Sequence, residues 1–304
     1  MTENREQNRR VCNTPSVAHA VRDRWNQHGL KPILRTARPS SLVVRSAALA
    51  ILAAVAIVTG LSGCKGEKPD GSGTKELLLY CGAGIRPPVQ QIIEAFEAEY
   101  GVKIVTDYAG SEMLLSKIKL ARQGDLYMPG DKHYVEQAAQ EGMILSQQSV
   151  CYFVPTILVQ KANPKNIHGL HDLLKAGIKL GVGDAKACAI GRKTEQIFAR
   201  NGIARADVEK NIAFQSLTVN ELGMQIQAGS LDAVIVWDAI ARYYSDHGIE
   251  VPIPVEQNVI STVNIGVLAF TGNRPLAEEF VKFAGSPRGQ DIFQKHNYRT
   301  DSPQ

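Results

Sequence analysis

The sequence predicts an α/β protein of two lobes around a cleft, and three observations carry that prediction. Short apolar runs alternate with amphipathic stretches of helical period over residues 77–142, and again over residues 179–245. Two long extended segments, residues 151–160 and 251–270, join the two sets. Turns of small residues follow the strands at Gly82-Ala83-Gly84, at Ala109-Gly110-Ser111 and over residues 184–191.

Each element follows from its pattern. Leu77 to Tyr80 form a strand. The helix beginning near Pro87 sets Val89, Ile92, Ile93 and Phe96 on one face, and Gly101 stops it. Residues 102–106 make a second strand, and Ser111 opens a second amphipathic helix through Leu114, Leu115, Ile118 and Leu120. Residues 124–131 read as a buried strand and turn, and residues 134–142 as a helix. The stretch from Cys151 to Gln160 is too long and too rich in β-formers for an ordinary strand backed by a helix. Asn163-Pro164 ends it, and a short helix spans residues 170–174. The second set has strands at 179–182, 212–218 and 233–237, with helices at 191–201, 221–228 and 239–245. Two closing helices start near Pro275 and Pro287. The expected division is lobe 1 over residues 76–156 and 255–304, and lobe 2 over residues 157–254.

Ahead of this region stands an export signal. Arg45 precedes an apolar run whose core spans residues 46–61, and Leu61-Ser62-Gly63-Cys64 closes it. The apolar core is shorter than the roughly 20 residues a membrane-crossing helix needs. Leu-Ser-Gly-Cys resembles a bacterial lipobox, which implies cleavage before Cys64, lipidation of its thiol and attachment to a bilayer. Residues 1–63 are therefore read as a leader, and residues 64–75, rich in Gly, Ser and charge, as a tether. About 45 residues precede the apolar run without hydrophobic periodicity, so translation is expected to begin nearer Leu42 or Val43.

The leader also explains the charge. The whole chain has 34 basic and 30 acidic residues. Nine of the basic and three of the acidic residues precede Cys64, which leaves 25 against 27, a net charge of −2. No basic face for nucleic acid is expected on that remainder. Beyond Cys12 and Cys64 it holds Cys81, Cys151 and Cys188, enough for at most one internal disulfide.

Chemistry is expected where strands end and helices begin. In open α/β sheets ligands bind there, because free N–H groups and the positive ends of helix dipoles suit anions. The three small-residue turns supply three such points, and Ser111 adds a hydroxyl able to cap its helix. Arg86 and Arg192 each follow one of these turns and offer charge-assisted hydrogen bonds to a larger anion. His168 and His171 have a metal-ligand spacing with no third ligand nearby, so no metal site and no cofactor are expected. No phosphate-cradling Gly-x4-Gly-Lys-Ser/Thr loop and no Gly-x-Ser-x-Gly elbow occurs. Cys188 has no neighbouring base in any nucleophile motif, so an enzyme is not expected.

The chain resembles the periplasmic substrate-binding proteins of ABC importers, and among them the molybdate/tungstate-binding family. Tyr80-Cys-Gly-Ala-Gly-Ile85, Phe96-Glu-Ala-Glu-Tyr-Gly101, Ala109-Gly-Ser111, residues 124–131, Asn163-Pro164 with Asp172-Leu173, residues 184–191 and Gln290-Asp-Ile-Phe293 carry the likeness, over residues 76–297. It implies a two-lobed type II periplasmic-binding-protein fold, with mixed sheets, helices on both faces and a cleft between lobes. Two departures matter. The family's first-loop ligand serine is Gly84 here, and its ligand tyrosine corresponds to Trp237-Asp238. A carboxylate facing a dianion is repelled, so Asp238 is expected to cap the next helix.

The resemblance thus implies a monomeric, lipid-anchored binder, exported to the periplasm or cell surface, that delivers a small oxyanion to an ABC permease. Molybdate or tungstate is the expected ligand, held by the N–H groups of Gly84, Ile85, Ile190 and Val219 and by the hydroxyl and N–H of Ser111, with Arg86 beside them. A carboxylate, a phosphate ester or sulfate is the alternative, as is a surface adhesin or sensor on the same fold.

Overall fold

The computed structural model describes residues 76–303. The expected leader, its apolar core, Cys64 and the tether of residues 64–75 lie outside them. The first half-lobe runs β1 (Glu76–Gly82), α1 (Arg86–Tyr100), β2 (Lys103–Ala109), α2 (Ser111–Ala121), β3 (Leu126–Met128), α3 (Lys132–Gln140) and β4 (Ile144–Phe153). The chain then passes into β5 (Pro155–Gln160), β6 (Leu180–Gly183), α4 (Ala189–Arg200), α5 (Arg205–Glu209), β7 (Ile212–Ser216), α6 (Val219–Gln227), β8 (Ala233–Trp237), α7 (Asp238–Tyr243) and β9 (Gly248–Pro252). It returns through β10 (Ser261–Leu268), α8 (Arg274–Gly285) and α9 (Pro287–Lys295).

Two five-stranded sheets result, ordered β2-β1-β3-β10-β4 and β7-β6-β8-β5-β9. Both are mixed. β1 pairs parallel with β2 and β3, whereas β10 runs antiparallel to β3 and β4. In the second sheet β6 is parallel to β7 and β8, and β5 is antiparallel to β8 and β9. The strand–helix alternation alone argues parallel strands; the two extended crossings supply the antiparallel ones. The long run seen in the sequence at residues 151–160 is the junction of two strands in different sheets. β4 ends at Phe153 and β5 begins at Pro155, so the crossing comes two residues before the expected 156/157 boundary.

Helix α1 shows how the sequence builds a lobe. Val89, Ile92, Ile93 and Phe96 are all buried, and Gly101 ends the helix with a left-handed φ of 64°. Each such side chain contributes about 1.5–3 kcal/mol on burial. Phe96 meets the edges of Phe280 and Phe283 at 5.1 and 5.4 Å, so the chain's last helices close the core opened by its first. Leu120 departs from expectation. It sits at the end of α2 and is 89 % exposed, because the buried face has already turned away after Ile118. Helix α5 was not legible in the pattern: its five residues bury only Val208.

Cys81, Cys151 and Cys188 are all buried free thiols. The two crossings between the sheets are held by polar contacts. Asn258 donates to the carbonyls of Pro155 (2.8 Å) and Ile253 (3.3 Å), and Asn201, the C-cap of α4, donates to the Gln257 carbonyl at 2.8 Å.

Candidate functional site

Strand ends from both sheets meet in one small chamber of about 20 Å³. Lobe 1 contributes Gly82, Ala83 and Gly84 beyond β1, Ala109 to Ser111 beyond β2, Gly130 beyond β3, and Phe153. Lobe 2 contributes Cys188, Ala189 and Ile190 at the start of α4, Thr218 and Val219 at the start of α6, and Trp237. Helices α2, α4 and α6 therefore all begin at its wall. The first N–H groups of a helix have no partner within it, and the helix dipole adds partial positive charge there.

The lobes touch across this chamber. Glu112 donates its backbone N–H to the Ala187 carbonyl at 3.1 Å, and Asn220 Nδ2 donates to the Ala83 carbonyl at 3.2 Å. Glycine is required where they approach. A Cβ on Gly110 would lie 2.4 Å from the Ala187 oxygen and 2.6 Å from the Leu217 oxygen; one on Gly84 would lie 2.6 Å from Val219 Cγ1. Tyr298 donates its hydroxyl to the Gly84 carbonyl at 2.6 Å, fixing the first loop from beneath.

Ser111 is the hydroxyl of the site. It is 3 % exposed and stands at the first position of α2, where Gly110 is the N-cap. Its side chain does not cap the helix as the sequence suggested. Oγ instead accepts the Gly130 N–H at 3.0 Å, and the Ser111 carbonyl accepts the Tyr127 hydroxyl at 2.9 Å. An Oγ that accepts from the protein keeps its own proton to donate.

The structure brings four of the expected residues to the chamber, namely Gly84, Ser111, Ile190 and Val219. Ile85 is not in the lining: its side chain is fully buried in the lobe 1 core. Arg86 is exposed, its guanidinium lies 5.0 Å from the centre of the Tyr108 ring, and it borders a separate groove of about 550 Å³ with Asn220, Met224 and Tyr243. Arg192 is half-buried outside the lining. Asp238 turns away from the chamber. Its Oδ1 accepts the Ala239 N–H at 2.9 Å, and its Oδ2 pairs with Arg299 at 3.1 Å and Arg242 at 3.5 Å. Asp238 is the first residue of α7 and Trp237 its N-cap, so the expected cap is not made; the ion pairs account for a carboxylate only 1 % exposed.

Sequence reasoning missed Gly130, Thr218, Phe153 and the part played by Trp237. Phe153 and Trp237 pack with ring centroids 4.8 Å apart and give the chamber its aromatic end. Gly84 lies close against the indole, where an added Cβ would stand 3.3 Å from Trp237 Cδ1, an approach that only the assembled lobes reveal.

No lining side chain carries a formal charge at neutral pH. Cys188 is the one titratable group in the lining, and burial pushes its thiol up to about 11. Its Sγ faces the carbonyls of Asp184 (3.5 Å) and Ser216 (3.7 Å), an arrangement that keeps it protonated and a poor nucleophile. Among the described residues no group of three His, Cys, Asp or Glu side chains is placed to hold a metal ion, and no helix is long and apolar enough to cross a membrane. The arrangement offers N–H and O–H donors to a compact negative group and contains no acid–base pair.

Comparison with known proteins agrees with this architecture. Residues 77–299 match the family described as bacterial extracellular solute-binding protein. A putative binding protein of Haemophilus influenzae is 28 % identical over 223 residues, covering 73 % of this chain and 90 % of that one. The molybdate-binding protein ModA of Mycobacterium tuberculosis is 24 % identical over 255 residues, or 81 % of this chain and 95 % of that one. Among solved structures, the sulfate-binding protein SubI of Mycobacterium tuberculosis superposes with a TM-score of 0.64 at 18 % identity, over 75 % of this chain and 88 % of that one. Two mixed sheets with helices on both faces and a chamber between them are the type II periplasmic-binding-protein architecture, and the chain belongs to the family of bacterial extracellular solute-binding proteins.

Proposed function

We propose that this protein captures a small tetrahedral oxyanion, molybdate or tungstate before others, and hands it to an ABC permease. The observation that carries the reading is a chamber walled by three helix N-termini and a serine hydroxyl, with no charged side chain in it. Neutral dipoles fixed in a buried site stabilise a dianion without an arginine, and the chamber is too small for a sugar or an aromatic acid. The contacts are the N–H groups of Gly84, Ser111, Ile190 and Val219, the Ser111 hydroxyl, and the Trp237 indole N–H.

In this reading the leader is removed before Cys64, the Cys64 lipid holds the protein at the bilayer, and closure of two lobes of one monomer marks the loaded state for the permease. Sulfate is the second reading, favoured by the likeness to a sulfate-binding structure. Isothermal titration with molybdate, tungstate, sulfate, phosphate and citrate decides between them. Heat from molybdate or tungstate alone supports the first reading. Heat from sulfate alone moves the assignment to sulfate, and heat only from citrate or phosphate overturns both.

A further inference from the structure

We infer that Asp131 and Lys193 form a latch between the lobes that sets how long the bound ligand stays. The inference rests on the oxyanion reading for its ligand and on geometry for everything else. Asp131 follows Gly130, the residue whose N–H reaches Ser111 Oγ. It is the N-cap of α3, with Oδ1 accepting the His133 N–H at 2.9 Å. Lys193 lies on α4, about one turn after Ile190 in the chamber wall. Its Nζ is 2.7 Å from Asp131 Oδ2, and the two side chains are 9 % and 4 % exposed.

Three further contacts make this pair more than an incidental one. Ser261, the first residue of β10, donates its hydroxyl to the same Oδ2. Lys193 Nζ also reaches the Ile260 carbonyl at 3.4 Å, in the segment by which the chain returns to lobe 1. The pair is the shortest charged connection between the Gly130 wall and the α4 wall of the chamber. It is also the one ion pair among the described residues with both side chains under 10 % exposed.

A buried ion pair gives little to stability when its partners can hydrate separately, yet breaking it from one side strands the other charge. Opening hydrates both ions; a closed state lacking one partner must bury the other alone. The pair therefore acts on the closed state, and its removal appears in the dissociation rate. Asp131 and Lys193 are positioning residues: they align two walls and do not touch the ligand.

The test uses the full chain in detergent with sodium molybdate, sodium tungstate and sodium sulfate. Stopped-flow tryptophan fluorescence reads the rates, and X-ray scattering in anion-free buffer reads closure. Asp131→Asn keeps the N-cap, because asparagine caps as well as aspartate; Lys193→Met keeps the apolar stem; Lys193→Arg restores the charge. Both Asp131→Asn and Lys193→Met are expected to raise the dissociation rate roughly tenfold with association changed less than twofold. The double variant should cost no more than the larger single, and Lys193→Arg should recover most of the loss. Unchanged dissociation rates, or a loss carried by association alone, overturn the latch. A wild type that binds none of the three anions overturns the oxyanion reading instead. The latch then stands or falls on scattering, where Lys193→Met must enlarge the radius of gyration.

Discussion

Ser111 Oγ accepts the backbone N–H of Gly130 at 3.0 Å, so one hydroxyl in the chamber wall joins the ends of β2 and β3 and keeps its own proton to donate. In the proposed oxyanion reading, Ser111→Ala removes a donor to the ligand, and it leaves the Gly130 N–H without its acceptor. A hydrogen bond to a charged group is worth about 1.5–3 kcal/mol, so affinity should fall roughly ten- to hundredfold by isothermal titration. Ser111→Thr keeps the hydroxyl and should retain more affinity than Ser111→Ala.

Trp237 offers both a donor and a reporter. Trp25 is the only other tryptophan in the chain. Adding the ligand should change the emission of the wild type, and Trp237→Phe should abolish that ligand-dependent change. The same variant keeps the stacking partner for Phe153, so its affinity loss, about tenfold, reports the indole N–H alone.

Gly110 tests closure. An alanine there places a methyl group 2.4 Å from the Ala187 oxygen, which belongs to the other lobe. Gly110→Ala should unfold at close to the wild-type temperature without ligand, since the clash exists only when the lobes meet. Its apparent affinity should fall in proportion to the lost closed population. A thermal scan with and without molybdate measures both halves of the prediction.

Acid should weaken the fold through two histidines. Burial, with Arg192 adding to it, holds His133 below the ordinary histidine value, while Asp131 and Glu136 oppose the shift; burial does the same to His296. The unfolded chain then binds more protons than the native one between these lowered values and about 6.5. This contribution is complete above about pH 6.5 and is lost as pH falls through that window. The unfolding midpoint should drop between pH 7.5 and pH 5.5, and should drop less in a His133→Gln, His296→Gln double variant.

Thiol chemistry gives a further check. Burial raises the pKa values of Cys81, Cys151 and Cys188. Iodoacetamide at pH 7.5 should leave all three unlabelled in the native protein and label all three after denaturation, as read by peptide mapping.

The sequence made lobe 1 legible because its helices are strongly periodic: Val89, Ile92, Ile93 and Phe96 bury as their spacing requires. Ser111 was legible because it opens a helix after a strand, whereas Ile190 and Val219 came from the family resemblance, ahead of the helices expected from 191 and 221. Helices α4 and α6 in fact begin at Ala189 and Val219. Arg86 was read toward the ligand because it follows a ligand loop. Residue order does not fix direction, and its guanidinium lies over Tyr108 instead. Gly130 was hidden because it lies in the turn ahead of the α3 N-cap Asp131, which reads as a plain turn, and Phe153 because it ends β4 with no helix after it. The latch was equally hidden, since Asp131 and Lys193 are 62 positions apart and meet only when two lobes are assembled.

The sheet order carries a consequence for how the chain folds. β10 lies between β3 and β4, yet it follows both in sequence, after every strand of the second sheet. The second sheet, β5 to β9, comes from one uninterrupted stretch and needs no strand from elsewhere in the chain. The first sheet stays split until Ser261–Leu268 is available, and closing so long a loop costs entropy that only the final strand repays. During synthesis from the N-terminus, the lobe that begins first is therefore completed last.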